Sequence, residues 1–248
     1  MTEQRAVELM FGDTPSANIQ EYIEAIKVAK SVLGTNYTSE QLRNWILVTK
    51  YPFLLPRQWN SERLCYELPH DYKYEFTHLD DMPNGWRKAF GEMMCEEIMN
   101  ALDAYGGAAG YTIEQIKEKY GHLRWYAYPN YSDVEDVIAK YSELSGNICC
   151  VCGKPDVPMT GHTYYLPLCK KCYCTPDKYV IKDMSEAEIQ EFWVSHEKDW
   201  DAWNADRQNE MSDTYFVVRW SKDGGNETET YDISSTATKI RKRYYGKD

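Results

Sequence analysis

The sequence predicts an α+β protein, mostly helical around a small four-cysteine zinc ribbon, with a β-hairpin near its C-terminus. Three observations lead there. Apolar residues recur at helical spacing between capping residues and glycine stops. Two Cys-x2-Cys pairs stand 16 residues apart. The run Tyr215-Phe216-Val217-Val218-Arg219-Trp220 is rich in strand formers, and Asp223-Gly224-Gly225-Asn226 separates it from Glu227–Ile233 as a hairpin turn would.

Along the chain, Ile19, Ile23, Ile26 and Leu33 mark the buried side of a helix over 18–33 that Gly34 stops. Thr38 and Gln41 form a capping box that opens a second helix through Leu42, Trp45 and Ile46. These two helices make an N-terminal hairpin, residues 1–50. Pro52 and Pro56 force extended geometry on the residues before them. Tyr72, Tyr74 and Phe76 alternate with charged residues, the pattern of a short strand.

A strong helix follows Pro83-Asn84-Gly85. Its buried side reads Trp86, Phe90, Met93, Ala101, Leu102 and Tyr105, and Gly106-Gly107 ends it. Thr112 and Gln115 resemble another capping box, so 112–119 is expected to be helical, with a strand over 123–128. Ser132 and Glu135 open a helix bearing Val134, Val137, Ile138, Tyr141 and Leu144 that Gly146 closes. It leads straight into the cysteines. The central region is thus 51–178, with the zinc ribbon at 147–174.

The third region, 179–248, holds an acidic helix, the β-hairpin and a basic tail. Ser185 and Glu188 open the helix, which runs to about residue 207. Ile189, Phe192, Trp193, His196, Trp200 and Trp203 form one stripe along it. Residues 183–213 carry ten Asp or Glu against Lys198 and Arg207. The stripe reads as core packing under a solvated acidic face, or as a partner-binding surface centred on Trp193, Trp200 and Trp203. The tail carries Lys239, Arg241, Lys242 and Arg243 beside Tyr244 and Tyr245, a combination that could track a nucleic-acid strand or pair with the acidic helix.

Six of the eight cysteines fall between 149 and 174. Cys149, Cys152, Cys169 and Cys172 have the spacing of a zinc site, because each x2 pair straddles one tight turn and points both sulfurs at one ion. Four thiolates leave no open coordination position, so the Zn²⁺ is structural. Lys154, Lys170 and Lys171 are placed to offset the thiolate charge. Cys150 lies between the first pair and is expected to point away from the metal, Cys174 could replace Cys172 if the second turn slips, and His162 reads as a polar loop residue or a weaker substitute ligand. Pro176 discourages a helix at the second pair, which favours a ribbon with two hairpin turns over a treble clef.

The chain has 248 residues and a net charge of -11, which argues against a protein that binds nucleic acid with its whole surface. No apolar run is long enough for a membrane span, and Met1–Met10 has no signal-peptide pattern. A soluble, intracellular protein is expected. No catalytic residue is assigned. There is no G-x-x-x-x-G-K-[ST], G-x-S-x-G or H-E-x-x-H pattern, and His78-Leu79-Asp80 and His196-Glu197 are isolated.

Tyr51-Pro52-Phe53-Leu54-Leu55-Pro56-Arg57, the segment from Met82 to Gly91, and the segment from Ile116 to Tyr126 resemble a group of zinc-ribbon proteins of bacteriophages and prophages. The resemblance covers about residues 50–175, with His122 where that group carries a glycine. It implies a phage or mobile-element origin and no particular activity. The expectation is a non-enzymatic phage-type accessory protein that binds a host protein, with an anti-CRISPR-like inhibitor of a host defence nuclease as one form. The alternative is a zinc-ribbon accessory protein that binds nucleic acid through its basic tail.

Overall fold

The computed structural model describes residues 1–11, 19–161, 164–175, 183–206, 214–220 and 226–246. It is an α+β fold with helices and small antiparallel strand pairs. The chain forms two compact units. One comprises Met1–Asp81, Met99–Gln115 and Tyr126–Pro129; the other comprises Met82–Ile98, Ile116–Trp125 and Asn130–Asp248. Among the described residues, no helix is long and apolar enough to cross a membrane.

The first unit begins with three helices: α1 (Glu3–Phe11), α2 (Ile19–Leu33) and α3 (Ser39–Lys50). The expected hairpin therefore has a third member, α1. Its Ala6, Val7 and Leu9 pack with Ala25, Ala29, Leu33 and Trp45. The inner face of α2 is the alanine side, whereas Ile23 and Ile26 are exposed. Small residues let helices approach closely, and the isoleucines are displaced from the contact. Trp45 is fully buried and donates its indole N–H to Glu3 (2.9 Å). The Thr38–Gln41 capping box forms reciprocally, at 3.1 and 2.8 Å.

Beyond α3, β1 (Gln58–Asn60) pairs with β2 (Cys65–Glu67), a hairpin whose turn is braced by Asn60 accepting from the amides of Glu62 and Arg63. The expected strand at Tyr72–Phe76 does not form. Asp71 and Tyr74 take positive φ (62° and 63°), which breaks extended backbone, and the rings of Tyr72, Tyr74 and Phe76 gather instead.

A helical run then comprises α4 (Asn84–Trp86), a π-helical turn at Arg87–Gly91, and α5 (Glu92–Asp103). Its buried residues are Trp86, Phe90, Met94, Ile98 and Leu102. The expected Met93 and Ala101 are only half-buried, and Tyr105 lies exposed past the end of α5. The wide π turn shifts the phase to a spacing of four.

Residues 112–119 are not helical. They form β3 (Thr112–Lys119), which pairs with β4 (His122–Tyr128). Tyr120 and Gly121 both have positive φ (56° and 80°), the two-residue hairpin turn that suits strand twist. Pairing with β4 overrides the Thr112–Gln115 helix signal.

The second unit continues with α6 (Ser132–Ser145). Tyr131 occupies its N-cap position without a side-chain capping hydrogen bond, and Ser132 is already the first residue of the helix. Phe90 stacks on Tyr141 of α6 at 5.2 Å between ring centres, and Tyr141 donates to Glu97 (2.9 Å), which Lys140 also contacts. Then come β5 (Met159–Thr160), β6 (Leu166–Pro167), α7 (Lys170–Cys174) and α8 (Glu186–Asp206). Strands β7 (Thr214–Trp220) and β8 (Asn226–Asp232) pair antiparallel, with Thr214 opposite Asp232. The chain does not close on these strands or on an irregular tail. Residues Ser234–Tyr245 form a helix, α9.

Candidate metal centre

The first cysteine pair sits on a tight knuckle. Ile148 bridges Pro155 across it, the Cys149 amide donates to Lys154 (2.8 Å), and the Gly153 amide donates to Cys149 (2.8 Å). Gly153 has φ +86°, which a side chain would resist. The helical run starting at Asn84 abuts this knuckle. The Gly85 amide donates to the Cys150 carbonyl (2.8 Å), and the fully buried Trp86 donates its indole N–H to the Ile148 carbonyl (2.7 Å).

The second pair is carried differently from the expectation. Cys169 is the N-cap of α7, and Cys172 lies one turn inside it. The Tyr173 amide closes that turn on the Cys169 carbonyl (2.9 Å). A knuckle, the β5–β6 hairpin and a short helix follow in chain order. The cysteines are therefore not held by two hairpin turns, and the ribbon expectation is corrected. Pro176 does not forbid the helix, because α7 ends at Cys174, before the proline is reached.

These elements bring the sulfurs of Cys149, Cys152, Cys169 and Cys172 within 4.8 Å of one another. The Cys152 and Cys169 sulfurs are 3.7 Å apart. A tetrahedron with metal–sulfur bonds of ~2.3 Å has edges of ~3.8 Å, so the set fits one small tetrahedral ion. Cys149 and Cys169 are buried, whereas Cys152 and Cys172 are half-buried. Cys150 and Cys174 are buried outside the four-sulfur set. His162 lies outside the described residues.

Without a metal, Cys149 and Cys172 resist ionisation. Sharing a hydrogen bond with Cys169, reinforced by burial, pushes the Cys149 thiol up to about 12. Burial, then the neighbouring charge of Cys149, does the same to Cys172. A divalent cation reverses this preference, since it binds the thiolates and releases their protons.

The charged groups around the cluster are arranged differently from expectation. Lys170 does not serve the thiolates. Its ammonium lies 2.7 Å from Glu197 and 2.9 Å from Asp201 of α8, and 5.8 Å from the Trp200 ring centre. Lys170 thus staples α7 to α8. Trp200 adds an indole hydrogen bond to the Leu168 carbonyl (2.9 Å), and Trp203 meets Tyr173 edge to face at 5.1 Å. His196 stacks on Phe192 and also meets Tyr173. The stripe of α8, with Trp193 half-buried in it, thus packs through Trp200, Trp203 and His196 on the segment bearing the second cysteine pair. Glu186, Glu188, Glu191 and Asp199 are exposed.

The basic residues of α9 divide. Lys239, Lys242 and Arg243 are exposed, whereas half-buried Arg241 makes a two-pronged pair with Asp156 on the knuckle, at 2.9 and 2.8 Å. The Tyr244 hydroxyl lies 4.0 Å from the Cys152 sulfur. Gly85, Asp156 and Tyr244 are the residues of this site that spacing did not suggest. Only the Asn84-Gly85 dipeptide carried a local signal, and it read as a helix start. No protein-family model matches the chain, and no curated protein or solved structure is detectably similar to it.

Proposed function

We propose that this chain is a non-enzymatic phage-type accessory protein whose four thiolates hold a structural zinc ion. Its partner in this reading is a host protein in the bacterial cytoplasm, and an anti-CRISPR-like inhibitor of a host defence nuclease is its concrete form. Cys149, Cys152, Cys169 and Cys172 hold the ion. An all-thiolate tetrahedral set suits zinc and leaves no position at which water or substrate is activated.

The observation that carries the reading is the fixing of α8 to the cysteine module through Lys170 and Trp200. That anchor presents Glu186, Glu188, Glu191 and Asp199 on a held helix, outward to solvent. Exposed carboxylates on such a helix compete for a cationic channel built to take phosphates. The phage origin rests on the resemblance over residues 50–175.

The test is binding of the purified chain to a purified CRISPR effector across a salt series. Affinity falls with salt and is lost in the Glu186→Lys/Glu191→Lys/Asp199→Lys variant. Salt-independent binding that survives charge reversal overturns the acidic-face reading.

One observation favours a second reading. Helix α9 places Lys239, Lys242 and Arg243 in solvent next to exposed Tyr244 and Tyr245, a set able to contact phosphates and bases. Retention of a labelled single strand at ~50 mM salt, lost on replacing the three cations by Ala, supports it.

A further inference from the structure

Helix α9 reaches the metal centre from the far end of the sequence. Its Thr236, Ala237 and Ile240 are buried, and it packs beside the π turn at Arg87–Gly91. Two of its outer residues then turn to the knuckle. The Arg241 guanidinium grips the Asp156 carboxylate with both prongs. Asp156 directly follows Pro155, the residue that closes the knuckle, and has φ +58°. A non-glycine residue in that conformation persists only where its surroundings hold it. One turn further on, the Tyr244 hydroxyl lies against the Cys152 sulfur. Cys152 is a half-buried ligand, so this is a side on which the centre is open to solvent.

From this arrangement we infer that α9 is a clasp on the zinc centre. Tyr244 donates the outer hydrogen bond to the Cys152 thiolate, and the Arg241–Asp156 fork holds the helix over that ligand. Both are positioning residues for the metal. Four thiolates and one Zn²⁺ carry a net charge of about -2, and Lys170 is committed to α8. A hydroxyl donor at Cys152 withdraws part of that charge. Groups that hydrogen-bond a metal's ligands in this way commonly govern how tightly the metal is kept. The converse follows by linkage: bound zinc holds α9 in place. The C-terminal helix and the metal thus stabilise each other.

The inference rests on the zinc reading above, and one experiment separates the two. The zinc-loaded full-length chain is mixed with excess chromogenic chelator, and the release rate is followed. Tyr244→Phe and Arg241→Gln each release zinc on the order of 10-fold faster than the parent. Tyr245→Phe, one residue away, releases at the parent rate. Arg241→Lys keeps the charge, loses the fork, and releases faster too, which covers the case in which Arg241→Gln unfolds. Hydrogen exchange over 234–245 rises when the parent is stripped of zinc. A parent that carries no zinc after expression in zinc-supplemented medium overturns both readings. A parent that carries zinc, with Tyr244→Phe and Arg241→Lys releasing it at the parent rate, overturns the clasp alone.

Discussion

Gly85 and Gly153 meet backbone to backbone. A Cβ on Gly85 would lie 2.1 Å from the Cys149 carbonyl oxygen and 2.7 Å from the Gly153 nitrogen; a Cβ on Gly153 would lie 2.7 Å from the Gly85 carbonyl oxygen. All three atoms are backbone, so none can step aside by changing rotamer. The helical run after Pro83 is therefore seated directly on the cysteine knuckle. Gly85→Ala forces these segments apart, at a cost of about 1–3 kcal/mol. Gly153→Ala adds the penalty of a left-handed backbone, about 1 kcal/mol. Both variants are expected to melt several degrees below the parent and to retain less zinc, as read by thermal denaturation and metal analysis. Parental Tm for Gly85→Ala would show that the contact is not tight in solution.

Ligand identity is testable one thiol at a time. Metal analysis of the purified parent is expected to find about one zinc per chain, as a single four-thiolate site requires. Cys149→Ser, Cys152→Ser, Cys169→Ser and Cys172→Ser each lose most of it. Cys150→Ser and Cys174→Ser keep it, because those sulfurs lie outside the set. Loss of zinc in the Cys174 variant with retention in Cys172→Ser would mean that the second turn is shifted.

Trp86 ties the same helical run to the knuckle from inside the core. Its ring is fully buried, and its indole N–H is bonded to the Ile148 carbonyl. Trp86→Phe keeps an aromatic ring but leaves that carbonyl without its partner, a cost of about 1–3 kcal/mol. Chemical denaturation reads the difference as a lower midpoint. An unchanged midpoint would mean that water replaces the indole.

Lys170 offers a test of how α8 is anchored. Lys170→Ala removes the pairs to Glu197 and Asp201 and leaves the four sulfurs untouched. Hydrogen exchange is expected to rise across 186–206 while zinc content stays at the parent value. Loss of zinc in this variant would show that the lysine serves the thiolates after all.

The turn at Tyr120-Gly121 is a further point of attack. Tyr120 is exposed and left-handed, a conformation that costs a tyrosine about 1 kcal/mol. Tyr120→Asn gives the Asn-Gly pair that this turn prefers and is expected to raise stability by up to ~0.5 kcal/mol, allowing for loss of the Lys119 contact with the ring. Gly121→Ala destabilises, since Gly121 has φ +80°, a left-handed backbone that a Cβ resists, and the Met159 side chain would also have to move. A gain from Gly121→Ala would restore the helical reading of 112–119.

Several elements were legible because their causes are local. The Thr38–Gln41 box caps α3 with atoms three residues apart. Ser185 and Glu188 do the same for α8. The errors arose where a distant segment competes with a local signal. Thr112 and Gln115 have helix-cap spacing, but β4 offers a whole strand of hydrogen bonds. Ile23 and Ile26 look like a core face, but α1 packs on the alanine side of α2. Trp200 and Trp203 can read as a free surface, but their partners, Leu168 and Tyr173, lie some thirty residues away.

The amino-acid sequence was enough to single out the four cysteines that the fold gathers, because an x2 spacing closes a turn whose geometry needs no distant partner. The acidic character of α8 and the capped starts of α3 and α8 were legible too. Tertiary packing set the rest: the second pair rides on a helical turn, Gly85 seats a helix on the knuckle, and Arg241 and Tyr244 reach that knuckle from 85 and 92 residues away. Contacts at that separation depend on how packed surfaces fit, and no local periodicity records such a fit.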